Sequence, residues 1–163
     1  MRKQIFVVAT AAVLAVLASG VLLAQSDPFV GTWKLNATQS KYGAGPAPKN
    51  RTMTIDAQGD SLKYSSKGTS AAGTHFAWSF TANYPPDGKD NPISGTGVPN
   101  GADTIALKRI NTNTTESTFK KAGKVVLSVR SVVSKDGKIM TNTGKETNAN
   151  GEPAKSLIVW DKQ

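Results

Sequence analysis

Side chains able to do acid–base or metal chemistry are few in this sequence and lie far apart. His75 is the only histidine in the 163 residues, and there is no cysteine. A usual zinc site needs several histidine, cysteine or carboxylate ligands that converge on one point, which a lone histidine does not supply. We therefore expect His75 to occupy a surface or hydrogen-bonded position at a rim, and we expect no metal and no cofactor.

The carboxylates do not indicate catalysis either. Acid–base enzymes pair two titratable groups whose surroundings push their pKa values apart. Glu116 and Glu146 lie in predicted strands but are flanked by polar residues, which indicates that they face solvent. The sequence has no nucleophile elbow, zinc-protease helix or phosphate-binding loop, so we predict a protein that is not an enzyme. Most of the other acidic residues stand in or beside turns: Asp60, Asp87, Asp90, Asp136 and Glu152.

Aromatic residues form the most distinctive apolar cluster. Phe76, Trp78 and Phe80 alternate with smaller residues, so they share one face of one predicted strand. In a small barrel the core and the wall of a pocket are the same surface, so this face either fills the core or lines an apolar cavity. Residues of other predicted strands complete the proposed ligand-binding wall: Tyr64, Leu107 and Val159.

Turn-forming residues recur about every ten positions, as in Gln58-Gly-Asp60, Ala122-Gly-Lys124 and Asp136-Gly-Lys138. Short β segments at that spacing are typical of a sandwich or a barrel. Between the turns, apolar residues alternate with serine and threonine, as in a sheet with one solvated face. A meander of about 8–10 strands closes because closure removes unpaired edges. We therefore predict an all-β fold, a single antiparallel up-and-down β-barrel.

The first 24 residues have the layout of a secretory signal peptide. Met1-Arg-Lys precedes an almost unbroken apolar run from Ile5 to Ala24. Cleavage after Ala24 would leave one domain, residues 25–163, and Gly20 is the alternative cleavage site. The run is also long enough to remain as an uncleaved membrane-spanning helix. The predicted location is the periplasm or the cell exterior, without a lipid anchor because no cysteine follows the run.

The chain is basic, with a formal net charge of +9 at pH 7. Its basic residues are spread from Lys34 to Lys162 and do not form a patch interleaved with stacking aromatics, which is the footprint of nucleic-acid binding. We therefore expect no nucleic-acid partner. The charge favours solubility and a loose attraction to anionic envelope surfaces.

The first predicted strand opens with Gly31-Thr-Trp33-Lys-Leu, where we expect structural roles for Gly31 and Trp33. Glycine lets the backbone pass close to a neighbour, and the indole plugs one end of a barrel. The stretch "GTWKLN" resembles the Gly-x-Trp signature of calycins, the lipocalins and fatty-acid-binding proteins. Gly123 to Met140 resembles a late hairpin of fatty-acid-binding proteins, and "LIVWDK", Leu157 to Lys162, resembles their closing strand. The chain as a whole is similar to small secreted bacterial lipocalin-like proteins.

The resemblance implies a barrel that binds a small apolar or amphipathic molecule. Arg130 matches the family's interior arginine, whose guanidinium would hold a carboxylate or phosphate. The apolar alternation from Val125 to Val133 instead places Arg130 on the opposite side of its strand. Three roles stay open: a ligand anchor, a basic residue packed over Trp33 as in lipocalins, or an exposed strand arginine.

The sequence departs from the fatty-acid-binding pattern in two places. The short Gly/Pro-rich segment Ala37 to Pro48 cannot supply the two lid helices of that family. Ile158 and Trp160 stand where the closing strand of that family presents an arginine and a tyrosine to the ligand carboxylate. The resemblance therefore supports the barrel and leaves the ligand open.

Two functions remain from these observations. The first is an exported binding protein whose barrel holds one small apolar or amphipathic molecule. The second is a structural or interaction protein of the cell envelope, with a barrel interior filled by its own side chains. The two functions differ in whether the interior contains a cavity.

Overall fold

A computed structural model describes residues 27–43, 45–147 and 151–163. The expected signal segment, residues 1–24, lies outside the described residues. Within the described part of the chain, no helix is long and apolar enough to cross a membrane. The strands are β1 (Gly31–Lys41), β2 (Asn50–Gln58), β3 (Ser61–Thr69), β4 (His75–Asn83), β5 (Asp87–Pro92), β6 (Ser94–Thr96), β7 (Thr104–Asn111), β8 (Thr114–Lys121), β9 (Lys124–Val133), β10 (Ile139–Thr147) and β11 (Pro153–Lys162).

All of these strands belong to one antiparallel sheet, in the spatial order β5-β7-β8-β9-β10-β11-β1-β2-β3-β4-β6. The sheet curls into a nearly closed barrel in which β1 pairs with β11, with Leu35 opposite Trp160. Its two edges are β5, which pairs with β7, and β6, which pairs with β4. We call the unpaired boundary between these two edges the seam. The predicted all-β barrel is confirmed. The described residues form eleven strands because the segment between β4 and β7 contributes two short ones.

One end of the barrel is sealed by residues 27–30, which precede β1, and by Trp33; we call it the closed end. Trp33 is fully buried, and its Nε1 donates a hydrogen bond to the Phe29 carbonyl at 2.8 Å. Lys162 Nζ lies 5.0 Å from the centroid of the Trp33 ring. A Cβ at Gly31, where φ is 133°, would lie 2.8 Å from Lys162 Cε. Glycine and tryptophan at these two positions therefore let the last strand pass over the indole.

The closed end also contains a buried ion pair. The Arg109 guanidinium donates to the Asp27 carboxylate, and the two side chains are 15% and 3% exposed. Asp27 Oδ1 accepts a hydrogen bond from the Phe29 N–H at 2.9 Å. Arg109 also donates to the Thr112 carbonyl at 3.1 Å and stacks 4.8 Å from the Phe29 ring centroid. The charged groups that seal this end therefore compensate each other.

The opposite end, the open end, carries the loop 42–49, the turn 70–74 and a short 3₁₀ helix, Pro99–Gly101. In the described residues of the loop between β1 and β2 there is no helix, as the glycines and prolines of this segment predict. No helical lid from this loop therefore covers the open end in the described part of the chain.

Candidate functional site

The barrel encloses a cavity of about 200 Å³. That volume corresponds to about seven waters at roughly 30 Å³ each. The cavity is smaller than the roughly 300–1,000 Å³ of sites for drug-sized ligands. Its wall is mainly apolar and includes Ile55, Trp78, Phe80, Leu107, Phe119 and Trp160.

Aromatic rings in mutual contact form one side of this cavity. Tyr64 and Phe80 stack with centroids 4.7 Å apart and planes 10° apart. Trp78 stacks on Phe80 at 6.5 Å and meets Phe119 edge-on at 6.2 Å. Offset and edge-on aromatic pairs stabilise one another beyond the area they bury. The resulting wall suits a flat or chain-like apolar group.

The structure places four of the proposed ligand-binding residues in the cavity wall: Tyr64, Trp78, Phe80 and Leu107. Their role in binding stays a prediction. Phe76 lies apart from them, because it packs against the core from the open end and lines an outer groove there.

The placement of Val159 in the cavity wall was wrong. Val159 is buried, but its neighbours Ile158 and Trp160 face the cavity, so Val159 lies on the other side of β11. Between Asn36 and Lys41 the register of β1 against β11 shifts. There the Val159 N–H donates to Ser40 Oγ at 2.9 Å. The irregular part of β1 thus buries a residue on the outer face of the sheet.

Arg130 is an exposed strand arginine. Its Nη1 donates to Glu116 Oε1 at 2.7 Å, and both side chains are about half exposed. The adjacent residues Val129 and Ser131 line the cavity, so alternation along β9 turns Arg130 outward. The interior-anchor alternative was therefore wrong. The alternative in which Arg130 packs over Trp33 was also wrong, because Lys162 occupies that place.

An arginine that was not predicted from the sequence, Arg51 on β2, lines the cavity. Its guanidinium carbon lies 5.2, 5.5 and 6.0 Å from the ring centroids of Trp160, Trp78 and Phe76. Its Nε donates to Ser66 Oγ at 2.9 Å. Arg51 precedes the inward-facing Met53 by two residues and Ile55 by four. Because residues two apart in a strand share a face, this spacing is the sequence signal that places Arg51 inside the barrel.

Arg51 meets no carboxylate in the described part of the chain, where none of the ion pairs includes it. Burial lowers the pKa of its guanidinium to about 10, and the nearby Tyr42 phenol limits the decrease. Arg51 therefore remains a cation at neutral pH. The Glu146 carboxylate, which also borders the cavity, accepts a hydrogen bond from Asn100 Nδ2 at 2.8 Å.

Four buried polar atoms have no hydrogen-bond partner among the described residues: Tyr42 Oη, Tyr64 Oη, Asn142 Oδ1 and Trp160 Nε1. All four residues line the same cavity. A buried polar group without a partner costs about 1–3 kcal/mol. Burial raises the pKa of both phenols, so they stay protonated and able to donate. The buried polar atoms that lack a partner within the described residues are therefore concentrated in the cavity wall.

An outer groove of about 510 Å³ adjoins the cavity at the open end. The two spaces share Arg51, Trp78 and Pro99, which we call the neck. His75 lines the groove, and its Nδ1 lies 3.2 Å from Thr69 Oγ1. Within the described residues, no group of three or more histidine or acidic side chains could hold a metal ion.

The fold and its interior define the class as an antiparallel, nearly closed β-barrel built around an internal cavity. Rv2717c from M. tuberculosis is similar to it, with a TM-score of 0.53 and 15% identity over 88% of this chain and 97% of that one. A zebrafish ileal bile acid-binding protein complexed with cholic acid gives a TM-score of 0.49 and 12% identity, over 83% of this chain and 99% of that one.

No family model matches the sequence, and no curated protein matches it at a significant level. The likeness to Rv2717c supports the barrel fold alone.

Proposed function

We propose that the protein is an exported, non-enzymatic barrel that binds one small apolar or amphipathic molecule in its cavity. The observation that carries the proposal is the cavity itself, with an apolar aromatic wall and four buried polar atoms that lack partners among the described residues. A ligand that fills this space would bury apolar surface on both sides and supply hydrogen bonds to those atoms.

The cavity also favours binding over a purely structural role in the envelope. Protein interiors are normally packed to the density of organic crystals, because a void forfeits contacts on all sides. A barrel with only a structural task would be stabilised by larger side chains in the space of about 200 Å³. Orphaned polar groups in that space would add a further cost, which a bound ligand removes.

Native mass spectrometry of the protein purified gently from its host tests the binding function. We expect an extra mass that disappears on denaturation. The cavity-filling variant Leu107→Trp should lose that mass, since Leu107 is 2% exposed and lines the cavity. Val125→Trp is the matched control, because Val125 is 59% exposed.

Two results would contradict the proposal. One is equal ligand occupancy in wild type and in a folded Leu107→Trp variant. The other is a wild-type protein that stays free of ligand even after incubation with a lipid extract of the envelope.

Export is supported by the charged start and apolar run of the first 24 residues. The mature protein recovered from the periplasm or medium should begin near Gln25, as intact-mass measurement would determine. Recovery of the full-length chain from the cytoplasmic fraction alone would contradict export.

A further inference from the structure

Hydrogen-bond donors from three separate elements line the cavity that the neck joins to the outer groove. Arg51 on β2 uses Nε for Ser66 Oγ, and no other hydrogen bond of its guanidinium occurs among the described residues. Trp160 on β11 contributes an indole N–H that is a donor only and is without a partner in the same part of the chain. Tyr42, in the loop after β1, lines the same cavity as Arg51 and has a hydroxyl that is also without a partner among the described residues. The neck is thus rich in donors.

The charge of Arg51 selects the kind of group that these donors fit. The three rings around the guanidinium stabilise a cation but do not neutralise it. A partly buried arginine without a counter-ion is costly, and an oxyanion placed against its two Nη atoms would supply that counter-ion in a bidentate arrangement. A cationic ligand would be repelled, and a neutral ligand would leave the charge uncompensated.

The surroundings of the neck set the orientation of such a ligand. On the interior side lie the rings of Trp78, Phe80 and Phe119, and on the other side lies the outer groove. An apolar group is therefore stabilised on the inner side, and a charged group at the neck lies nearer to solvent at the open end, beside the Ser70, Thr74 and Thr96 side of the groove. The interior volume admits one ring or a short alkyl chain rather than a long one.

We infer that Arg51, Trp160 and Tyr42 form a carboxylate-binding site at the neck, and that the ligand points its apolar end into the barrel and its carboxylate outward. This inference rests on the proposed binding function. It assigns the site to β2, β11 and the β1–β2 loop, and it leaves the exposed Arg130 without a part in binding.

Three probes with the same apolar group and different polar ends test the inference: 4-phenylbutyrate, 4-phenylbutan-1-ol and 4-phenylbutylamine. Isothermal titration should show the carboxylate binding at least tenfold more tightly than the alcohol, with the amine weakest. Arg51→Met should weaken carboxylate binding by about 10- to 100-fold, the range for hydrogen bonds to a charged group. Alcohol binding should change by less than about twofold. Arg130→Met, the matched arginine control, should leave all three affinities unchanged.

A second variant covers the case in which Arg51→Met does not fold. Tyr42→Phe removes a single oxygen and should weaken only the carboxylate, by roughly tenfold. The indole N–H signals of the three tryptophans give an internal control by nuclear magnetic resonance. The Trp160 signal should move when 4-phenylbutyrate is added. The Trp33 signal should not move, because its N–H is already bonded to the Phe29 carbonyl.

The outcomes separate the two proposals. Equal wild-type affinities for the acid and the alcohol would overturn the carboxylate site and leave the binding function intact. A Trp160 signal that does not respond to bound 4-phenylbutyrate would overturn the site in the same way. Contacts between the phenyl ring and Pro46 or Pro48, in place of Phe119, would overturn the orientation. Failure of all three probes to bind, together with a ligand-free native mass, would contradict the binding function itself.

Discussion

Arg109 and Arg51 both reach into the barrel and both stack on aromatic rings, but within the described residues Arg109 meets a carboxylate and Arg51 does not. At the closed end Arg109 pairs with Asp27, and Trp33 and Lys162 also donate to backbone carbonyls. At the open end Arg51 stacks on three rings, and beside it the Tyr42 hydroxyl and the Trp160 N–H have no partner in the described chain. Paired groups stabilise the fold, whereas unpaired ones cost stability and are available to a ligand.

The largest effect should come from breaking the pair at the closed end. Asp27→Asn keeps the size of the side chain but leaves Arg109, 15% exposed, without a counter-ion. We expect the free energy of unfolding to fall by about 3–5 kcal/mol, measured by denaturant titration. Glu116→Gln in the exposed pair with Arg130 is the control and should cost less than about 1 kcal/mol. If Asp27→Asn also lowers the free energy of unfolding by less than about 1 kcal/mol, the proposed difference in stabilisation between the closed and open ends is contradicted.

The same measurement on Arg51→Met should give the opposite sign. Arg51 is a partly buried cation without a counter-ion among the described residues. Replacing such a cation with an apolar side chain of similar length is expected to be neutral or stabilising. We expect the free energy of unfolding of the ligand-free protein to stay unchanged or to rise by up to about 2 kcal/mol. A decrease of similar size in the free energy of unfolding would mean that the contacts between Arg51 and the surrounding aromatic rings stabilise the fold.

Tyr64→Phe tests a single unpaired atom inside the cavity. The variant removes a buried hydroxyl that lacks a partner among the described residues and keeps the ring stacked on Phe80. We expect a gain of about 1 kcal/mol in the free energy of unfolding. A loss would indicate that the hydroxyl is satisfied in solution, for example by an ordered water.

The smallest effect concerns an exposed carboxylate beside the closed end. Hydrogen bonds from Lys89 hold the pKa of Asp87 at about 2, against 3.8 for the ordinary group. Because the folded-state pKa is the lower one, the contribution to stability is present above about pH 4 and is lost as the pH falls toward 2. A carboxyl titration by nuclear magnetic resonance should locate this pKa, and Lys89→Ala should raise it. An ordinary pKa in the wild type would contradict the proposed hydrogen bonds.

Alternation along the chain was enough to predict the barrel and much of its inner wall. Tyr64, Trp78, Phe80 and Leu107 face inward because successive residues of a strand point to opposite sides. The rule failed at Val159 because part of β1 leaves its regular register and covers the outer face of β11. A single sequence does not show where one strand covers another.

Arg51 escaped prediction for a different reason. The sequence shows that Arg51, Met53 and Ile55 stand at alternate positions and so share one face of the strand. A charged residue in a threonine-rich strand is nevertheless normally exposed to solvent. Its place inside depends on rings from β4 and β11, which are distant in the sequence and adjacent only in the fold. The family resemblance pointed instead to Arg130, which faces solvent.

The seam between β5 and β6 bears on how the protein behaves at high concentration. Unpaired strand edges offer backbone groups to which another chain can add, and they promote self-association. Here β6 has only three residues, and β5 reads Asp-Gly-Lys-Asp-Asn-Pro, with three charges and a final proline. Short length, charge and proline all oppose strand addition. The barrel can therefore leave its wall incomplete without offering a template for aggregation.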